Sequence, residues 1–269
     1  MINKLIILFS ILIVTACNEQ KKNYILNDAR LNQYIEKLND SDWETVYKAK
    51  DSLEKLEYKS LPYLIQNLNK KDEFVKLKNT TDLIYPGSTV FYGEGWFVPY
   101  DLDWISIRTG WVIEEITFEN FGFKEINITE DELIKLQKDH SKYQECVQSG
   151  KYDFQITPDE LELIENAIRK VVFWWQTNSE SWNRLQGITD ALKSNDYQRQ
   201  SSALEYLTYG EYCIDGLTRD YFDKELRSVL EDLLNSEKES IRQKAKSVLD
   251  AVDYNGNMIF DTMTTRCWN

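Results

Sequence analysis

Four carboxylates, Asp101, Asp103, Glu114 and Glu115, lie close together in the chain among Tyr100, Trp104 and Trp111. A glycoside hydrolase works with two carboxyl groups held roughly 5–10 Å apart across a sugar, and broad aromatic rings with a polar edge suit the floor of such a site. Closeness in sequence does not set that separation. The simpler expectation is that Asp101 or Asp103 caps the helix that follows and that Glu114 and Glu115 face solvent. Just upstream, Tyr92, Glu94, Trp96 and Tyr100 combine large rings with a charge, the side-chain types that anchor protein interfaces or sugar platforms. Together with Asp101 and Asp103 they are the residues expected to meet a partner.

Little else in the chain offers catalysis. His140 is the one histidine, set between charged residues such as Lys138 and Asp139, and is expected at the surface. No Gly-x-Ser-x-Gly, P-loop or dinucleotide-binding glycine pattern occurs. Beyond Cys17, the cysteines are Cys146, Cys213 and Cys267, widely spaced and odd in number. They leave room for one disulfide and one thiol, without fixing the pairing, and none has zinc-ligand spacing. Asp253, Asn255, Asn257 and Asp261 imitate part of a calcium loop, but Met258 and Thr264 stand where glycine and glutamate belong. An Asn-Gly turn closing the last helix is the better reading. No metal or cofactor is expected, and the chain reads as a non-enzyme.

The elements that would position these residues are mostly helical. Pro and Gly number only 4 and 10, too few for a turn-dense all-β fold or for long disordered stretches. Thr157, Pro158 and Glu160 form a capping box with proline at the first helical position, and Thr129 to Glu132 reads as another. After Thr157, the residues Leu161, Ile164, Ile168, Val171 and Trp175 share one helical stripe, so this helix is expected to run through the fold as a buried member. Trp104, Ile107 and Trp111 have core spacing on a helix of their own. Residues 82–104 break the pattern. Two β-rich runs around Gly93 and Gly95 predict a hairpin insertion near 88–100.

A repeat underlies the helices. From Leu38, Leu192 and Leu234, alanine follows at the same offset (Ala49, Ala203, Ala245), and leucine follows again (Leu53, Leu207, Leu249). The second and third copies lie about 42 residues apart, the period of HEAT-type repeats. Apolar stripes follow at Leu61, Ile65 and Leu68, and at Leu226, Leu230 and Leu233. The segment Ile241-Arg242-x-x-Ala245 resembles the Val-Arg-x-x-Ala core of HEAT motifs, and Ile107-Arg108-Thr109-Gly110-Trp111 is similar to a degenerate copy. The resemblance implies an all-α, HEAT-like solenoid of antiparallel helix pairs over residues 28–269, interrupted by the insertion.

The N-terminus adds an address. Lys4, an apolar run from Leu5 to Val14 and the sequence Val14-Thr15-Ala16-Cys17 make a short secretory signal, too short to span a bilayer. This resembles the lipobox of bacterial lipoproteins, with Val14 in the place of the usual leucine. The resemblance implies a signal peptide at 1–16 and lipidation of Cys17. Residues 17–27 then form a polar tether that holds the body up to roughly 30 Å from the membrane. Asn18, in place of the aspartate linked to inner-membrane retention in some bacteria, favours the outer membrane.

The whole chain carries 32 basic and 45 acidic residues, a formal net charge of −13. Removal of the leader would take only Lys4 and leave the body one charge more negative. Such a body lacks the basic face a nucleic-acid binder needs, and anionic headgroups would repel it. The expected function is a lipid-anchored scaffold or inhibitor of immunity type, facing the periplasm or the cell exterior and bound to another envelope protein. The alternative is a cell-wall or carbohydrate binder, or hydrolase, built on the aromatic block and its carboxylates.

Overall fold

The structure is a computed structural model and describes residues 28–78, 101–149, 156–209, 214 and 216–250. The expected hairpin at 88–100, with Tyr92, Glu94, Trp96 and Tyr100, lies outside the described residues, as do Cys17, Cys213, Cys267 and the stretch 253–261. What is described is all-helical. Among the described residues there is no strand, only two isolated bridges, Asp42 with Lys78 and Phe74 with Trp104.

The first two helices form a hairpin. Helix α1 (Ala29–Leu38) starts where the Asp28 carboxylate accepts from the amides of Arg30 and Leu31. Helix α2 (Trp43–Lys55) starts where Asp42 accepts from the Thr45 amide and hydroxyl at 2.9 and 2.8 Å. Each cap answers donors that a helix start leaves without a partner. Leu31 and Leu38 face Val46, Ala49 and Leu53 across the seam, all buried. A short helix α3 (Leu61–Asn67), with proline in its first turn, lays Leu61 and Leu64 on the same core.

Helix α4 (Ile105–Thr117) is the central element, and every residue of it except Glu115 is buried. It tolerates this because its small polar side chains find carbonyl acceptors, Ser106 at Lys71 outside the helix and the two threonines within it. The Thr109 hydroxyl donates to the Ile105 carbonyl at 2.6 Å, and the Thr117 hydroxyl to that of Ile113 at 2.8 Å, which removes the cost of burying them unpaired. Gly110 leaves just enough room for the Phe123 ring, which a Cβ there would strike. Trp104, Ile107 and Trp111 are core residues, as their spacing predicts.

Two expectations about the next helices need correction. Helix α5 (Ile128–Lys138) begins before Thr129, so Thr129 sits inside the first turn rather than capping it. The peripheral helix α6 (His140–Ser149) carries His140, exposed as expected, and the unpaired, half-buried Cys146. Helix α7 (Pro158–Asn178) has the capping box its sequence predicts, Thr157 accepting from the Glu160 amide and Glu160 from the Thr157 amide. It is not a buried member, however. Only Ile164, Ala167 and Val171 turn fully inward, because α4 already fills the interior and α7 packs on its outer side.

The C-terminal part repeats the hairpin theme. Helix α8 (Arg184–Lys193) pairs with α9 (Tyr197–Tyr209), and a π-helical turn (Phe222–Leu226) links α10 (Arg219–Tyr221) to α11 (Arg227–Leu233), which pairs with α12 (Glu239–Asp250). Helices α9 and α12 pack side by side, so the two hairpins stack. Leu192, Ala203 and Leu207 occupy the places that Leu38, Ala49 and Leu53 hold in the first hairpin, and all six are buried. In the third copy Ala245 is buried, Leu249 packs on the core, and Leu234 at the helix end is 37% exposed. Leu226, Leu230 and Leu233 line this core as their stripe predicts.

Two hydrophobic clusters result, one over α1–α4 and α7, the other over α8–α12. Phe118 links them. Its backbone ends α4 in the left-handed region at φ 57°, and its ring belongs to the second cluster. Arg199 of α9 fastens the joint by donating to the Phe118 carbonyl at 3.0 Å and pairing with Glu119 at 2.8 Å.

Candidate functional site

Asp101 and Asp103 lie inside the protein, 2% and 0% exposed. Asp101 does cap a helix, although not the one that follows it. Its carboxylate accepts from the amide of Thr129 and, at 2.7 Å, from the Thr129 hydroxyl, closing the first turn of α5 from outside. Asp103 accepts from the Leu77 amide at 2.8 Å. Helix α4 itself begins at Trp104 without a side-chain cap. Both carboxylates are thus turned to intramolecular work, although Oδ2 of Asp103 is buried and accepts no hydrogen bond among the described residues. Burial raises the Asp101 carboxyl to about 6, against the pull of its hydrogen bonds, and that of Asp103 to about 7, against the Leu77 amide and the nearby Arg108 and Lys76.

Arg108, fully buried, completes this junction. Its guanidinium donates to the carbonyls of Leu102 (2.7 Å), Leu38 (2.8 Å), Asp40 (2.7 Å) and Val75 (3.3 Å). It thereby ties the end of α1, the segment after α3 and the start of α4 to one point. Burial lowers its pKa to about 10, with Asp103, Asp40 and Asp101 opposing. The bond from Arg108 to Leu102 spans six residues, and the same span recurs twice. Gln200 donates to the Ser194 carbonyl at 2.6 Å, and Arg242 to that of Ser236 at 2.6 Å. Three helices therefore fasten the turn before them in one way.

Glu114 does not face solvent as expected, and Glu115 does so only in part. Glu114 is buried, and its Oε1 accepts three consecutive amides, from Phe121 (2.8 Å), Gly122 (2.9 Å) and Phe123 (3.1 Å). Gly122, at φ 98°, supplies the turn that aims them. The other oxygen, Oε2, is buried and accepts no hydrogen bond among the described residues. Burial raises this carboxyl to about 7, with Lys124 and the three amides opposing.

Glu115 belongs to a cluster of charged and aromatic side chains that joins α2, α4 and α8. It accepts from the Trp111 indole at 3.2 Å and pairs with Lys124. Lys50 lies 4.8 Å from the centre of the Trp111 ring and 2.5 Å from Glu54. Trp43 stacks on Trp111 with centroids 6.1 Å apart and planes 13° off parallel. Arg184, 4% exposed, closes the far end, bonding the Glu54 carbonyl at 2.6 Å and meeting Glu57 at 3.3 Å. The two glutamates are pushed apart in acidity. Burial alone would raise Glu115, but Lys124 and Lys50 outweigh it and bring it down to about 2. Burial wins at Glu54, whose carboxyl is raised despite Lys50.

Such a divided pair is a known arrangement for acid–base chemistry. Here three cations, Lys50, Lys124 and Arg184, stand among three carboxylates, and the network also braces α2 against α4 and α8. Sequence reading found Trp111 and Glu115 but missed Lys50, Glu54 and Arg184. Only the helical spacing of Lys50 and Glu54 hinted at part of it. Among the described residues no group of three or more His, Cys, Asp or Glu could hold a metal ion, and no helix is long and apolar enough to cross a membrane. Comparison with known proteins finds no family model, no curated protein and no solved structure that the chain matches.

Proposed function

We propose that the chain is a lipid-anchored, HEAT-like helical-repeat protein of a bacterial cell envelope that binds another envelope protein as a scaffold or inhibitor. The observation that carries the repeat reading is the recurring clamp: Arg108, Gln200 and Arg242 each bond the carbonyl six residues back. Stacked hairpins of that kind form extended surfaces used for binding. The lipobox at Cys17 supports the anchor, and Tyr92, Glu94, Trp96 and Tyr100 remain candidate contacts. Proximity labelling in the native envelope tests the reading, with recovery of one specific protein as the expected result. Cys17→Ser should release the body from the membrane or stall its processing. Repeated labelling that enriches no specific protein overturns the binder reading.

The divided pair Glu54 and Glu115 beside Trp111 favours a second reading, a carbohydrate-binding or hydrolytic protein. Release of soluble fragments from purified peptidoglycan, abolished by Glu54→Gln, would put it first. Absence of both binding and release removes it.

A further inference from the structure

Helix α7 turns Ile164, Ala167 and Val171 inward yet leaves Leu163 at 55%, Val172 at 37% and Phe173 at 73% exposure. Apolar residues exposed singly are ordinary, and Val172, two and a half turns from Leu163, lies on the other side of the helix; Leu163 and Phe173 are the pair that calls for a cause. Beside this helix the turn after α4 leaves an open depression of about 580 Å³, with Phe121, Ile126, Leu163 and Ala167 among its lining. Arg169 and Lys170 stand on its α7 side and Glu125 on the other.

The charge here runs against the rest of the molecule. The chain has a formal net charge of −13, but from Asn166 to Thr177 the sequence contains Arg169 and Lys170 and no carboxylate. The preceding Glu165 pairs with Lys71 and, loosely at 3.9 Å, with Arg169, and Lys170 bonds the Phe121 carbonyl at 3.1 Å, which fixes that ammonium at the edge of the depression. The Arg169 side chain is 62% exposed. A flat lipid surface would meet a convex helix face, whereas a concavity of this size takes in an inserted side chain.

We infer that this groove is the docking site for an acidic, amphipathic segment of a partner protein, which seats an apolar side chain against Phe121, Ile126 and Leu163 and sets a carboxylate against Arg169 and Lys170. The inference rests on the protein-binder reading and specifies the partner's chemistry. Phe173, nearly three turns beyond Leu163, gives the segment a second apolar contact. Glu125 sets its direction by repelling acid from the opposite rim.

The test uses the full mature chain, held by its lipid in nanodiscs of zwitterionic lipid, and a displayed library of random linear peptides as the probe. Enriched peptides should carry an aromatic or aliphatic residue beside Asp or Glu. The tightest of them, made synthetically, should lose about tenfold or more in affinity to Phe173→Ser and to the double variant Arg169→Glu, Lys170→Glu, and should gain with Glu125→Lys. These are surface positions, and unchanged thermal unfolding would show that the variants fold. No enrichment, enrichment of basic peptides, or equal binding to parent and variants overturns the proposal. So does binding to vesicles of anionic lipid that requires Phe173 while peptides fail. A labelled partner that cross-links elsewhere would sink this site and leave the binder reading standing, whereas no labelled partner at all sinks that reading.

Discussion

Arg108 offers the sharpest test of how this fold is held together. Replacing it with Met keeps much of the side-chain volume but removes the donors to the carbonyls of Leu38, Asp40, Leu102 and Val75. It also leaves Asp103, 0% exposed, without the larger of the two positive charges that act on it. Leaving a buried charge without its compensating cation costs about 3–5 kcal/mol, against a total stability of roughly 5–15 kcal/mol, so Arg108→Met should lose a fifth of the stability or more. Arg108→Lys should rescue little, since one ammonium cannot span four carbonyls set for a planar fork. The loss should also depend on pH. Asp103 already takes up its proton near 7 in the parent, so the variant should suffer less at pH 5.5, where that carboxyl is neutral, than at pH 8. Urea unfolding followed by tryptophan fluorescence at both pH values measures this. A loss under about 1 kcal/mol, or the same loss at both, would refute the view that Arg108 holds the junction by charge and hydrogen bonds.

Three further outcomes can be checked by the same unfolding measurements. Gly110→Ala should destabilise, because a Cβ there strikes the Phe123 ring; overpacking costs about 1–3 kcal/mol, more than the roughly 1 kcal/mol that alanine adds to a helix, and adding Phe123→Leu should recover part of the loss. Asp101, Asp103 and Glu114 have folded pKa values raised to about 6, 7 and 7. The native state therefore binds more protons than the unfolded chain between about pH 4 and 7, and stability should fall as pH rises through that window. Glu115, held at about 2, acts the opposite way below about pH 4.5 and sets the acid limit. Glu114→Gln should remove on the order of 3 kcal/mol from the fall in stability across that window, and an unchanged fall would mean that Glu114 does not titrate there. Thr157→Ala should cost about 0.5–2 kcal/mol by removing the cap of α7 and should speed amide exchange in its first turn.

The parts of this fold that periodicity carries were legible in the sequence. Leu38, Ala49 and Leu53 and their counterparts in α8 and α9 repeat at fixed offsets, and burial follows those offsets because each hairpin faces one seam. The Thr157 cap was legible because capping is a local contact. What escaped depends on distant partners. Glu114 and Glu115 look like solvent-facing neighbours until the turn at Phe121–Phe123 folds back over one and Lys124 reaches the other. Helix α7, rich in Val171, Val172, Phe173, Trp174 and Trp175, looks more buried than α4, which carries Arg108 and Glu114. The order is reversed because internal partners satisfy the charges of α4, while α7 arrives where the interior is already full. Of the candidate site, Trp111 and Glu115 were in view. Lys50, Glu54 and Arg184 come from remote segments that no short-range pattern joins to them.

The left-handed turn at Phe118 makes the two halves interdependent. A bulky residue at φ 57° costs on the order of 1–3 kcal/mol, and here it persists because the backbone belongs to one core and the ring to the other. A cut on either side of Phe118 would deprive one fragment of a residue on which its packing depends, so separately expressed halves should be soluble and ordered only when mixed. The intact chain should then melt in a single transition rather than two, and whatever docks on one half will feel the stability of the other.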